Sequence, residues 1–339
     1  MKKQFVLLIL FVVIISGCNH TPYFTENIRF YNANEGNITD IEGRLLINDL
    51  VGIGNIETIG EYLCLFMIDN DTLFKVYTTD GLYLTSFGIK GQGPNDFISS
   101  RPNGIREIEN GQACLWINDI GSASLKRLNL TLSIEKGCTV DRKIPIRPMS
   151  MNAFYTQDGS TILETMTPDN FELFINKGEK EVYKDTLYHI DMKPSFSYYK
   201  SIMRLNPDCS ILVSAMNTIN LVNVLNLNTH ERLSLCVGKY TDINNIVDKT
   251  TLLEKRTFYT DLKITTNYIY ALYMNQDYKD SYQKEKPVEI HMFDLQGNFI
   301  RQLNIPQYLK NFCISEDDSK IYGLLNDHSV YAYDISQLK

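Results

Sequence analysis

Arg101, Arg147, Lys200, Arg256 and Lys310 each stand near the head of a strand-like run, and Arg101 and Arg147 are each followed by Pro. Tyr198 and Tyr199 precede Lys200, and Tyr259 follows Arg256 closely. Guanidinium groups grip carboxylates and sulfates through paired donors, and Lys adds a compact point charge. If the runs form a ring, their heads converge on one opening. Arg101, Arg147, Lys200, Arg256, Tyr259 and Lys310 are then candidate binders of a carboxylate- or sulfate-bearing ligand, or of an acidic loop on a partner protein. The plainer reading is five solvated loop cations that pair with local acids and never meet. Strand starts read from sequence are loose enough to favour it.

Other chemistry is sparse. The five His (His20, His189, His230, His291, His328) all fall outside the runs that would line such an opening, where a metal hydrolase or His-dependent lyase needs its ligands. There is no GxSxG, no HExxH and no EF-hand loop. Glu316-Asp317-Asp318 reads as an exposed turn. No metal and no cofactor is expected. Lys+Arg is 33 against 40 Asp+Glu, a balance that excludes the basic footprint of a nucleic-acid binder.

The N-terminus reads as an address. Two Lys precede an apolar run from Phe5 to Ile15, too short to cross a bilayer. Ile15-Ser16-Gly17-Cys18 resembles a bacterial lipobox. Residues 1–17 are therefore expected to be a lipoprotein signal, with 18–26 a lipidated Cys18 and its tether, and 27–339 one domain. Acyl chains on Cys18 supply a stable membrane anchor. Removing 1–17 leaves 31 basic against 40 acidic residues, a net charge of −9. Six further Cys (Cys64, Cys114, Cys138, Cys209, Cys236, Cys313) never come within twenty residues of each other. They read as free thiols, several of them buried in apolar alternation.

These groups have to be positioned by strands. A short pattern of an apolar or aromatic residue, then usually Asp or Asn, then an apolar residue recurs at Tyr77, Leu128, Ile190, Leu225, Phe293 and Tyr333. A strand-like run precedes each, as in Glu61–Met67, Ala113–Ile117, Thr161–Thr165, Ser210–Met216, Tyr268–Met274 and Lys320–Leu325, and a further run follows most, such as Leu132–Glu135. The irregular spacing excludes a stacked solenoid and suits a ring of blades. The expected fold is all-β: a six-bladed β-propeller with four antiparallel strands per blade. An N-terminal strand, placed at Asn27–Asn32, closes the last blade, and one short helix is allowed within Tyr240–Arg256.

The segment from Phe87 to Phe97 (Phe-Gly-Ile-Lys-Gly-Gln-Gly-Pro-Asn-Asp-Phe) resembles the G-x-x-G-x-G-P-x-[ED]-F stretch of exported six-bladed propellers of the TolB-like and NHL-like kind, common among Bacteroides-type lipoproteins. Ile290–Ile300 resembles their I-x-x-F-D-x-x-G-x-x-I hairpin. The first motif reads as structural, with Gly91 and Gly93 permitting positive φ and Pro94 fixing a turn. A phosphate cradle would need a following helix, and none is expected. The resemblance implies an envelope lipoprotein, with the outer membrane as its expected site. The function expected is a non-enzymatic ligand- or protein-binding module whose partner is an envelope protein or an acidic glycan. The alternative is a propeller lyase, lactonase or hydrolase acting on a carbohydrate-type substrate.

Overall fold

Alternating apolar and polar residues, broken every few positions by tight turns, make this chain a succession of β-hairpins. The computed structural model describes residues 27–32, 37–68, 71–189, 199–241, 255–281 and 286–338. Three short strands come first: β1 (Ile28–Tyr31), β2 (Asn37–Asp40) and β3 (Gly43–Ile47). Blade 1 follows as β4 (Ile53–Ile59), β5 (Tyr62–Met67), β6 (Phe74–Thr78) and β7 (Tyr83–Phe87). Blade 2 is β8 (Ser100–Glu109), β9 (Gln112–Asp119), β10 (Ser124–Asn129) and β11 (Val140–Pro145). Blade 3 is β12 (Ser150–Tyr155), β13 (Ser160–Met166), β14 (Asn170–Lys177) and β15 (Lys180–His189). Blade 4 is β16 (Ser201–Leu205), β17 (Ile211–Met216), β18 (Val222–Asn226) and β19 (Arg232–Val237). Blade 5 is β20 (Arg256–Ile264), β21 (Tyr268–Asp277), β22 (Val288–Asp294) and β23 (Phe299–Ile305). Blade 6 holds β24 (Leu309–Ile314), β25 (Lys320–Leu325) and β26 (Val330–Asp334).

Each blade is one antiparallel sheet in chain order, and the first strand of each is innermost. The hairpins are tight for a local reason. Asn110 and Gly111 join β8 to β9 with φ of 51° and 76°, the mirror-image turn whose twist matches that of the strands. Apolar clusters fill the seams between blades. Phe74, Phe97 and Leu128 pack blade 1 on blade 2, Phe154, Leu173 and Leu225 lie in the seams of blades 3 and 4, and Phe258, Leu262 and Val222 join blades 4 and 5. Tyr270, Phe312 and Tyr333 join blades 5 and 6. Ile56, Leu63, Cys313 and Tyr322 seal blade 6 to blade 1.

An N-terminal strand does close the last blade, but it is β3, which pairs antiparallel with β26. Asn27–Asn32 does not have that place: β1 lies parallel on the outer edge of β19 in blade 4. Between them, β2 lies parallel on β23 in blade 5. The N-terminal segment is thus a belt crossing blades 4, 5 and 6 before it enters blade 1. Chain continuity explains the correction, because β3 runs directly into β4. Side chains explain the seat of each strand. Gly43 crosses the face of the Tyr333 ring, where a Cβ would collide. Tyr31 stacks on Phe299 at 5.7 Å, and its hydroxyl donates to Gly297 O at 2.5 Å.

Two further expectations change. Leu132–Glu135 is not a strand but part of helix α1 (Leu130–Lys136). Asn129 caps it by accepting from Leu132 N, the preferred role of Asn at a helix start. The third strand of blade 3 is β14; the repeat anchor at Ile190 lies outside the described residues, as do residues 242–254, where the short helix was allowed. Asp318 is buried and not an exposed turn acid: it accepts from Tyr270 Oη at 3.1 Å and Asn267 Nδ2 at 3.0 Å, tying blade 6 to blade 5. The six Cys of the described residues are free thiols.

Candidate functional site

The inner strands β4, β8, β12, β16, β20 and β24 all run the same way, so their starts share one mouth and their ends share the other. Along the axis between the mouths lies a chain of charges. Lys263 Nζ donates to Glu57 Oε1 at 2.7 Å and lies 3.8 Å from Asp261 Oδ2. Arg204 Nη2 stands 3.8 Å from Asp261 Oδ1. Asp261 also accepts from Asn311 Nδ2 at 2.6 Å, from Phe312 N at 3.1 Å and from Leu262 N at 2.9 Å. Burial pushes its carboxyl pKa up, against the pull of Lys263 and Arg204. Arg106 Nη1 donates to the carbonyls of Thr58 and Ile314 at 2.9 and 2.8 Å, joining three blades.

A bulge narrows this axis. Pairing of β8 with β9 jumps from Pro102–Ile117 to Arg106–Leu115, so Asn103, Gly104 and Ile105 swing out of register. Asn103 fixes the bulge by donating to Ala153 O at 3.1 Å and accepting from Ile105 N at 2.9 Å. Gly104, at φ 88°, is thereby pressed against Arg204, whose Cδ lies 2.7 Å from where a Cβ would stand. Only Gly meets both demands. The void left among Glu57, Arg106, Arg204 and Lys263 is about 10 Å³, room for about one water.

The cations expected at the mouth do lie at the starts of inner strands, but they point to different places. Arg101 is exposed on β8, and its pKa is drawn down by desolvation and then by the charge of Arg204. Lys200 is exposed just before β16. Arg256, exposed on β20, donates twice to Asn275 O, at 3.2 and 3.1 Å. Lys310 Nζ reaches across the blade 6 to blade 1 seam to Ile53 O at 3.1 Å, and desolvation lowers its pKa. Arg147 turns to the outer part of its blade, 4.2 Å over the Phe174 ring and 3.7 Å from Glu181. Tyr259 is fully buried, and its hydroxyl meets His291 Nδ1 at 3.1 Å. Tyr199 is buried in the blade 3–4 seam, and Tyr198 lies outside the described residues. The structure thus leaves Arg147 and Tyr259 away from the axis.

Sequence reading missed Glu57, Arg106, Arg204, Asp261 and Lys263. A signal was present for four of them: Glu57, Arg204, Asp261 and Lys263 are charges among mostly apolar or buried strand residues, as in Phe258–Ile264, whereas Arg106 lies in the polar second half of β8 and carries no such mark. Among the described residues, no group of three or more His, Cys, Asp or Glu gathers closely enough to hold a metal ion.

The glycine motif is a strut between blades 1 and 2. Asp96 accepts from Gly93 N at 2.9 Å, and its carboxylate occupies the space a Cβ on Gly91 or Gly93 would need. That crowding, rather than positive φ, requires the two glycines; the positive φ falls at Gly88, 82°. Lys126 Nζ donates to Asp96 O and to Asp119, over the Phe97 ring. The buried Asp119 accepts from Ile98 N and Ser99 N. Asn95 extends the strut to the outer strand of blade 2, its Oδ1 accepting from Val140 N at 3.0 Å.

Comparison with known proteins agrees with this architecture. Residues 55–317 match the model of a family described as TolB-like 6-blade propeller-like. Among solved structures, a protein described as exported from Bacteroides fragilis is 13% identical, with a TM-score of 0.55 over 91% of this chain and 99% of its own. A DUF4221 family member from Bacteroides vulgatus is 12% identical, with a TM-score of 0.54 over 88% of this chain and 94% of its own. A comparison with curated proteins gives no match. The six blades, the strut between the first two and the matched span of the chain make this protein a member of the TolB-like 6-blade propeller-like family.

Proposed function

We propose that this protein is an exported propeller, anchored to the cell envelope by lipid on Cys18, that binds an acidic partner at the strand-start mouth without transforming it. One observation carries the binding reading. The axial charges are engaged with one another and with carbonyls around a void of about 10 Å³, and the void that adjoins it at Gly104 and Arg106 is about 40 Å³, small beside the space a sugar-sized substrate fills, while Arg101 and Lys200 face solvent at the mouth. Catalytic sites on this scaffold need acids and bases that reach a reacting bond. Export is supported by the leader-like N-terminus and by a structural relative described as exported. The partner is an acidic glycan or an acidic surface of an envelope protein, and the outer membrane is the proposed site.

Charge reversal tests the mouth. The full chain with Arg101→Glu and Arg256→Glu is expected to lose at least about tenfold in affinity for polygalacturonate. Unchanged binding by the double variant, or no binding by the parent, sinks the reading. Anchoring is tested separately, since Cys18→Ser is expected to move the protein from the membrane fraction to the soluble one.

A further inference from the structure

We propose that the propeller takes an acidic protein surface, and not a glycan, on an apolar patch at the strand-start mouth of blades 1 to 3, with Ile98 and Met149 as its anchors. The inference rests on the binding reading above and chooses between its two partners.

Exposed large apolar side chains are not spread evenly over the ring. Among the described residues, Ile89, Ile98, Ile120, Met149 and Met151 are all between 37% and 70% exposed. All five stand on the mouth side, at the approaches to β8 and β12 or just past the end of β9. Backbone bonds link them into one patch. Phe97 N donates to Ile89 O, and Ile120 N donates to Ser99 O. Ile146 N donates to Ala123 O, which brings the approach to Met149 beside the loop of Ile120. Ile98 lies over Gly121, in space that a Cβ would fill, so its side chain has a fixed seat on the surface. An apolar side chain seated in advance costs less order when a partner arrives. Surfaces of soluble proteins rarely gather apolar side chains in this way unless something covers them.

Charge names the partner. The stretches 88–101, 120–123 and 146–151 hold three cations, Lys90, Arg101 and Arg147, and one acid, Asp96. The Asp96 carboxylate is taken up by Gly93 N. The patch therefore has a cationic rim, the complement of an acidic surface. Its apolar centre disfavours a glycan. A sugar would bury hydroxyls against Ile and Met side chains that offer no hydrogen bond.

The anchor sets which way the patch looks. β1 starts beside Ser234, at the strand-end side, and runs with β19 towards the mouth side. Nine residues separate Cys18 from Asn27, a reach of about 30 Å, and they lead in from the strand-end side. A bilayer that holds Cys18 thus lies nearest the opposite face, and the patch looks away from it.

The test places p-benzoylphenylalanine at Ile98, at Met149 or at Ile108 in the full lipidated chain, and illuminates intact cells of the native host. Ile108 is the control, because it is exposed like the others but lies at the strand-end side of β8. Positions 98 and 149 are expected to capture the same protein, through a segment that carries Asp or Glu beside apolar residues. Position 108 should capture it at least about tenfold less, and Arg101→Glu should cut capture at 98 and 149 at least about tenfold. All three positions are exposed, so each purified variant should melt like the parent, which separates a lost face from a lost fold. Capture of lipid or glycan in place of protein, equal capture at 108, no capture at 98 and 149, or capture unmoved by Arg101→Glu overturns the inference. Polygalacturonate binding by the parent without a protein adduct removes the apolar docking and leaves the cationic mouth. If neither is seen, both fall.

Discussion

Blade 2 and the propeller axis both bury several charges, and they balance them in opposite senses. In blade 2, Arg127 and Lys126 face four acids. Arg127 meets Asp141 through two donors at 2.8 and 3.1 Å, and meets Glu107 and Glu109 at 3.0 and 2.5 Å. Those bonds, Asp141's first, hold its pKa above the usual arginine range. Lys126 is closed over by Asp119, the Asp96 carbonyl and Phe97. On the axis, Arg106, Arg204 and Lys263 face two acids, and Arg204 Nε has no acceptor among the described residues. The comparison separates two ways of burying charge. In blade 2 acids surround the cation, whereas on the axis the cations outnumber the acids and Arg106 is held by carbonyls instead.

The largest expected effect tests the completed side. Lys126→Met leaves Asp119 buried without its cation. Burial works to raise the Asp119 pKa, and hydrogen bonds from Lys126, Ser122 and Ser99 N outweigh it and hold it low. Breaking such a pair by removing one partner costs about 3–5 kcal/mol. Urea unfolding should show that loss, while polygalacturonate affinity in the folded fraction stays at the parent value. A variant with parental stability would mean that blade 2 is not locked by this pair.

A third arrangement sharpens the contrast, because Glu164 in blade 3 is buried with no ion pair among the described residues. It is 3% exposed, and its Oε2 accepts from Asn152 Nδ2 at 2.5 Å. Burial pushes its pKa up to about 7, with the Asn152 bond pulling the other way. The unfolded chain releases this proton near pH 4.3, so between there and about pH 7 the folded state binds more protons and stability falls as pH rises. Glu164→Gln cannot ionise. It should abolish that fall and exceed the parent by about 3 kcal/mol above pH 7, with no advantage below pH 4. Chemical denaturation across pH 4–8 measures it. Parallel curves for the two proteins would show that Glu164 does not titrate in this range.

Much of the ring is legible in the sequence, for reasons that individual residues make plain. The second strands of all six blades follow from continuous apolar runs such as Tyr268–Met274, because these strands are covered by a sheet neighbour on each side and a blade on each face. Blade 3 misleads because its third strand, Asn170–Lys177, lacks the apolar–Asp–apolar mark, so the motif search passes over it. The belt misleads because β1, β2 and β3 are all short and half exposed. Their apolar pattern is equally good for any outer edge, and only chain continuity and the fit of Gly43 to Tyr333 select β3. The candidate site was half legible. Cations at strand starts could be counted, but where a long side chain points depends on partners far away in sequence, as Arg147 and Phe174 show. The axial charges are harder to read, because Glu57, Asp261 and Lys263 belong to no motif and meet only once three blades close around them.

Gly104 offers the finest test of the axis, because it carries no chemistry of its own. A Cβ there meets the Arg204 side chain at 2.7 Å in a backbone conformation, φ 88°, that other residues avoid. Gly104→Ala should cost only about 1–2 kcal/mol, mostly backbone strain. The Cβ also meets the Arg204 side chain, so part of the cost falls on that contact. In an Arg204→Met background, adding Gly104→Ala should therefore cost less than it does in the parent, as urea unfolding of the four proteins would show. An equal cost in both backgrounds would mean that backbone conformation alone keeps glycine at this position.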